Sequence, residues 1–295
     1  MKTIGFLGPA GTFTEMATMS IFPELKRKEF ATIPACMDGV SKGDVDAAVV
    51  PLENAIEGSV NLTLDYIIHK HQLPIVGEVV VPVEQHLLIH PRHIDDWKSV
   101  NTIYSHPHAI AQCHEFLRMA LPDSELNYTN STSAAAKFIM ENPNLKAAAI
   151  GNELAAKTYN LSIIEKNIHD YENNRTRFVV LSRKQEDIIT PHNIGHKTTL
   201  MVTLPSDYSG ALHQVLSAFS WRKLNLSKIE SRPMKTGLGN YFFVIDVEQK
   251  MDEILIPGVI AELEALGCGV RVLGSYPCFT ITSRKEKEEA VKRPI

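Results

Sequence analysis

Ile4-Gly5-Phe6-Leu7-Gly8-Pro9-Ala10-Gly11-Thr12-Phe13-Thr14-Glu15 is the stretch that sets the fold class. Ile4–Leu7 reads as a short buried strand, and Gly8, Pro9 and Gly11 turn the chain out of it. Thr12 to Phe22 then reads as a helix, so the chain opens on a strand–loop–helix unit. Lys2 before an apolar run resembles the start of a secretory leader. The glycines and proline break that run, however, and Glu15 follows at once. A first strand is the better reading, with a cytoplasmic location.

The same rhythm continues outward. Ala47–Val50, Ile75–Val81, His86–His90, Val100–Tyr104, Asn127–Thr129, Ala147–Ile150 and Phe178–Leu181 read as strands. Ala109–Ala120, Ser133–Met140 and Glu153–Tyr159 read as helices between them. Alternation of this kind predicts an α/β fold with parallel sheets and helices on both faces. The block from Val79 to Tyr171 forms a second lobe, with the chain returning to the first at Phe178. A cleft between two lobes is a common ligand site.

A different rhythm sets in after the polar stretch Arg183–Lys197. Thr198–Leu204, Leu226–Glu230, Tyr241–Val247 and Gly269–Gly274 read as strands, Gly210–Arg222 and Glu253–Leu266 as helices. The order βαββαβ is ferredoxin-like. The expected organisation is a two-lobed domain over residues 1–183, a linker over 184–197, a second domain over 198–278 and a charged tail over 279–295.

Composition narrows the function classes. The chain has 295 residues, 44% hydrophobic and 22% charged, so more than one folding unit is expected. Its 34 acidic and 30 basic residues are interspersed and leave no basic stripe, which argues against nucleic acid. No apolar run is long enough to span a bilayer. Cys36, Cys113, Cys268 and Cys278 form no CxxC pair. The ends of the strand between Cys268 and Cys278 lie roughly 30 Å apart, and a disulfide needs Cα atoms within about 7 Å. Free thiols in a reducing compartment are expected.

Four segments carry chemistry. Gly8–Thr14 joins a strand to a helix start, where glycines permit close approach and free N–H groups suit a carboxylate or phosphate. An ordinary threonine-capped turn explains the same residues. Pro51-Leu52-Glu53-Asn54-Ala55-Ile56-Glu57-Gly58-Ser59-Val60 follows a strand's carboxyl end, where polar groups face ligands in α/β sheets. A capped turn with solvated charges is the bland alternative. Ser105-His106-Pro107-His108-Ala109-Ile110-Ala111-Gln112-Cys113 contains a His-x-His, but further zinc ligands are lacking, so no metal is expected. Asn174-Arg175-Thr176-Arg177-Phe178 precedes the last strand of the first domain and offers two cations for carboxylates, or simply a basic surface cluster.

Taken together and in this order, the segments resemble the prephenate dehydratase family. The resemblance runs through GPxGTFT, ENxxEGS, SHPxAxxQC, Ser131-Thr132 and the tripeptide Thr176-Arg177-Phe178. The second domain resembles an ACT domain, with Gly210-Ala211-Leu212 and Glu230-Ser231-Arg232-Pro233 at its motif positions. Ala55 stands where the family commonly has Ser, and His108 where it commonly has Gln.

The resemblance implies a periplasmic-binding-protein-like catalytic domain followed by an ACT regulatory domain. It implies conversion of prephenate to phenylpyruvate, water and carbon dioxide without a cofactor. Thr176 is then the catalytic centre, acting with Glu53 or His106, while Asn54, Ser105 and Gln112 orient the substrate. Thr12, Phe13, Thr14, Ser131, Thr132, Arg177 and Phe178 complete the binding set. L-Phenylalanine is the implied effector at the two ACT motifs, and a homodimer or homotetramer is expected. An arogenate dehydratase and a non-catalytic solute-binding or sensing protein remain as competing readings.

Overall fold

The structure is a computed structural model that describes residues 3–184, 193–206, 208–234 and 241–282. Two compact units divide the chain. Of the described residues, one takes 3–66, 79–178 and 281–282; the other takes 67–78 and those between 179 and 280.

The first unit contains two sheets, one per lobe. Lobe I begins with β1 (Thr3–Leu7), α1 (Phe13–Ile21), β2 (Lys26–Phe30), α2 (Ile33–Lys42), β3 (Ala47–Asn54), β4 (Gly58–Ser59) and the start of α3 (Asn61–His69). Next comes β5 (Ile75–Pro82), which passes from the second unit into the first. Lobe II holds β6 (His86–Ile89), β7 (Thr102–Ser105), α4 (Pro107–Ala111), α5 (His114–Ala120), β8 (Glu125–Tyr128), α6 (Thr132–Glu141), β9 (Ala147–Gly151), α7 (Glu153–Thr158) and β10 (Ser162–Glu165). The chain then returns through β11 (Arg175–Ser182).

Both lobes repeat one pattern. In lobe I, β1 pairs in parallel with β2 and β3, and β11 lies beyond β3. In lobe II, β7 pairs in parallel with β8 and β9, and β6 lies beyond β9, antiparallel to it. This is the two-lobed periplasmic-binding-protein-like arrangement expected above. All five residues of β9 are buried. Ala148 and Ile150 pack on one face with Leu117 and Cys113, while Ala147 and Ala149 pack on the other with Ile139 and Ala155. A sheet covered on both faces gives such a strand no reason to alternate.

Several elements escape the sequence reading. β2 is Lys-Arg-Lys-Glu-Phe, exposed along four of its five positions, a charged edge strand that discourages pairing with another chain. Between it and β3, α2 is set by a Thr32 cap, Pro34 in its first turn and Gly43 in the left-handed conformation at its end. β10 is likewise not expected from the sequence, whereas α3 ends at His69, where the sequence reads as the end of a helical run. The expected helix Ala109–Ala120 is broken into α4 and α5, because the Gln112 carbonyl accepts from Asp170 N–H (2.7 Å) rather than continuing the helix.

The second unit contains β12 (Asn193–Thr203), α8 (Ala211–Ser220), β13 (Leu226–Pro233), β14 (Tyr241–Val247), α9 (Leu255–Ala265) and β15 (Gly269–Thr280). The order β13-β14-β12-β15 with antiparallel neighbours is the ferredoxin-like topology. Leu200, Val202, Phe243, Ile245 and Val247 meet Val215, Phe219, Val259 and Leu263 of the helices. Among other buried residues is a polar group, in which Thr199 Oγ1 donates to Asp246 Oδ1 and lies 2.6 Å from Tyr276 Oη.

Bounds also move. β12 begins inside the expected linker, and β15 runs past the expected Gly274, through Cys278 and into the expected tail. Residues 185–192 and 283–295 of the expected linker and tail lie outside the described residues. All four cysteines are free and buried, and burial pushes the Cys36 thiol up to about 12.

Within the second unit, a Cβ on Gly274 would stand 2.2 Å from the backbone oxygen of Ile75. Backbone cannot give way as a flexible side chain can, so Gly274→Ala should lower the unfolding free energy by about 1–3 kcal/mol. Urea denaturation measures this; an unchanged midpoint would contradict the close approach.

Candidate active site

A cavity of about 420 Å³ lies between the lobes of the first unit. Lobe I contributes Thr12, Phe13, Thr14, Asn54, Glu57 and Ser59, and lobe II contributes His106, His108, Gln112, Asn130, Ser131 and Thr132. Asn174, Thr176 and Phe178, on the returning segment, and Gln85, between β5 and β6, complete the polar and aromatic lining, with Pro51, Val60 and Val83 as apolar wall.

Local sequence positions these groups. Thr12 caps α1, accepting from Glu15 N–H (3.3 Å), and Glu15 in turn accepts from Gly11 N–H (2.7 Å). This is a close variant of the reciprocal capping box. Gly11 has φ +83°, a conformation that favours glycine. The loop is tied to lobe II through the Ala10 carbonyl, which accepts from Tyr159 Oη (3.0 Å) and Ser133 Oγ. Ser131 caps α6 by accepting from Ala134 N–H (3.0 Å). The starts of α1 and α6 therefore both open on the cavity.

A chain of side-chain amides crosses it. Asn54 Nδ2 donates to Thr176 Oγ1 (2.9 Å) and to Asn174 Oδ1 (2.9 Å). Asn54 Oδ1 accepts from the N–H groups of Ile56 and Glu57 (3.0 Å each). Asn174 Nδ2 donates to Gln112 Oε1 (3.0 Å), and Gln112 Nε2 donates to Glu57 Oε1 (3.2 Å). Glu57 Oε2 stands 3.5 Å from His108 Nδ1.

Three of the expected site residues lie elsewhere. β3 and β11 are strands whose side chains alternate in direction. Asn54 and Thr176 face the cavity, so their neighbours Glu53 and Arg177 project from the other face, where they pair at 3.5 Å. The sequence reading places Thr176 before the strand, and that hides the alternation; β11 begins at Arg175. Ser105 is fully buried, and its hydroxyl donates to the Ile150 carbonyl (2.7 Å), holding β7 beside β9. Neither carboxylate recognition by Arg177 nor proton donation by Glu53 fits these placements.

Thr12, Phe13, Thr14, Asn54, His106, Gln112, Ser131, Thr132, Thr176 and Phe178 do converge. Glu57, Gln85, His108, Asn130 and Asn174 join them without being among the expected site residues. Glu57 and Asn174 lie within the quoted motifs, and Asn174 has period-2 spacing to Thr176. Gln85 gives no signal; it is buried, and its Oε1 has no partner among the described residues.

Glu57, His106 and His108 are the ionisable side chains of the described lining. Burial pulls His106 below its ordinary value of 6.5, with the nearby His108 adding to the effect and Glu57 opposing it. His106 Nδ1 accepts from His108 N–H (3.3 Å), so the neutral ring carries its proton on Nε2.

Two α/β lobes around a cavity that carries convergent polar side chains, followed in the chain by a ferredoxin-like module, define a two-lobed α/β protein with a small-molecule site. A family model described as prephenate dehydratase matches residues 4–186. The prephenate dehydratase of Bacillus subtilis (strain 168) is 55% identical over 283 residues, covering 94% of this chain and 99% of its own. The crystal structure of prephenate dehydratase from Arthrobacter aurescens in complex with L-Phe has a TM-score of 0.82 at 34% identity, covering 98% of this chain and 97% of that one. GqqA, described as a novel type of quorum-quenching acylase, has a TM-score of 0.80 at 25% identity over 94% of this chain and 98% of its own. The chain belongs to the prephenate dehydratase family, whose reaction turns prephenate into phenylpyruvate in phenylalanine biosynthesis.

The loop before α1 supplies a test of this geometry. A Cβ on Gly11 would stand 2.8 Å from Ser133 Oγ and 3.0 Å from Ala155 Cα, at positive φ. Gly11→Ala should cost about 1–3 kcal/mol and raise KM by displacing the loop. Calorimetric unfolding together with steady-state kinetics would reveal both changes; wild-type values would show that the loop tolerates the methyl group.

Proposed function

We propose that the cavity carries out the dehydration and decarboxylation of prephenate, with Thr176 donating to the departing hydroxyl. The observation behind this role is the Asn54–Thr176 hydrogen bond. Asn54 Nδ2 is the donor, so Thr176 Oγ1 accepts and its own proton must point elsewhere. No acceptor for that proton exists among the described residues, and Thr176 lines the cavity. A substrate hydroxyl placed there would receive it.

The electron flow is simple. The bond between the ring and its carboxylate breaks, and its electron pair enters the ring as carbon dioxide departs. The para C–O bond breaks with its pair on oxygen, and one proton makes that oxygen water. Aromatisation drives the reaction, so the protein mainly orients the substrate and protonates the leaving group. An alcohol is too weak an acid to deliver the proton unaided. His106, which shares the cavity lining with Thr176 and carries its proton on Nε2, is the group we assign to replenish Thr176, because Glu53 faces away. The starts of α1 and α6 suit the pyruvyl carboxylate through their unpaired N–H groups. The apolar wall of Pro51, Val60, Val83 and Phe178 suits the ring.

The βαββαβ unit fits an ACT-type regulatory module that binds L-phenylalanine and pairs two copies of the chain. Gly210, at φ +93°, caps α8, and Leu212 is exposed beside it. Glu230, Ser231, Arg232 and Pro233 lie on β13, the terminal strand of its sheet, with Ser231 and Pro233 exposed. Glu230 is engaged by Lys228 (3.1 Å) and Arg232 (3.3 Å), which leaves Ser231 as the outward polar group of that motif. A homodimer or homotetramer working in the cytoplasm accords with β13 lying at the end of its sheet among the described residues and with four cysteines outside any disulfide. Among the described residues, no helix is long and apolar enough to cross a membrane.

Thr176→Ala should lower kcat by about 100-fold or more with little change in KM, measured as phenylpyruvate formation from prephenate. Near wild-type kcat would refute the assignment, and faster turnover of arogenate by the unaltered protein would redirect the substrate. Ser231→Leu should raise the phenylalanine concentration giving half inhibition. Unchanged inhibition would place the effector elsewhere.

A further inference from the structure

We infer that Glu57 is a positioning residue that fixes the direction of the amide chain ending on Thr176. The inference rests on the dehydratase reading above. Every amide in the chain could in principle be turned over, exchanging its donor and acceptor ends. Both ends of the chain forbid this. At one end, the N–H groups of Ile56 and Glu57 can only donate, so Asn54 must present Oδ1 to them and Nδ2 to Thr176. At the other, an ionised Glu57 can only accept, so Gln112 must present Nε2 to it and Oε1 to Asn174. Asn174 lies between, with Nδ2 toward Gln112 and Oδ1 toward Asn54. Glu57 thus acts twice, through its backbone N–H on Asn54 and through its carboxylate on Gln112.

Without the carboxylate, Gln112 can turn and present its amino group to Asn174, placing two donors against each other. Asn174 then either turns as well or pulls away from Asn54. Either change disturbs the donor that keeps the Thr176 hydroxyl directed into the cavity. His108 stands at Oε2 and leaves Oε1 to Gln112, so the two contacts do not compete for one atom.

Three variants test the inference in the full-length protein. Glu57→Leu removes the acceptor and should lower kcat about 10- to 100-fold, with a much smaller change in KM. Glu57→Gln keeps an acceptor oxygen and should recover most of that loss; an equal loss in Glu57→Gln would mean that charge or acidity matters and would overturn positioning. In a Thr176→Ala background, Glu57→Leu should cost nothing further, because both changes remove one effect. A fully multiplicative loss would overturn the inference. A second readout is independent of turnover: exchange of the Asn174 side-chain amide hydrogens, followed by NMR, should quicken several-fold in Glu57→Leu but not in Glu57→Gln. If the unaltered protein failed to convert prephenate, the dehydratase reading would fall while the exchange measurement still decided the role of Glu57. Unchanged exchange in Glu57→Leu would sink it.

Discussion

The hydrogen bond from Asn54 Nδ2 to Thr176 Oγ1 joins residues 122 positions apart, and the site is organised around it. It links the carboxyl end of β3 to the start of β11, where the chain returns to lobe I after building lobe II. Because Asn54 donates, the threonine proton is kept off the side of its oxygen that faces Asn54. Preorganised donors matter most where water is scarce, since reorientation then adds nothing to the barrier.

The rest of the first unit serves this geometry. Repeating one strand order in two lobes places the carboxyl ends of β3 and β7 at a common cavity, where ligands bind in α/β sheets. The break between α4 and α5 matters equally. An unbroken helix would leave the Gln112 carbonyl within the helix, whereas its bond to Asp170 ends α4 as the Gln112 side chain reaches Asn174 and Glu57. The second unit is built on a different principle, an antiparallel sheet with helices on one face and buried polar groups such as Thr199 and Asp246 besides. A buried carboxylate is tolerated only with partners, which Thr199 helps to supply.

The likeness to GqqA sharpens what identifies the reaction. A TM-score of 0.80 to a chain described as an acylase shows how little overall shape says about chemistry. The prephenate dehydratase family model spans residues 4–186, a range that includes every described residue lining the cavity, from Thr12 to Phe178.

Much of this is legible in the residues themselves. Glycine and proline punctuation marks the loop at Gly8–Gly11, apolar runs mark β3 and β9, and the change of rhythm after Arg183 separates two architectures. These signals are local, set by backbone freedom and side-chain burial within a few positions. β2 is not legible because a charged edge strand carries no apolar pattern. The opposite directions of Asn54 and Glu53, and of Thr176 and Arg177, depend on where each strand begins. A shift of a few residues in that boundary hides which side chains share a face. Sequence therefore names the residue types and most of their neighbourhoods. Only the tertiary structure decides that Glu57 and Asn174 line the cavity and Glu53, Ser105 and Arg177 do not, because side-chain direction depends on strand register and on partners far away in the chain.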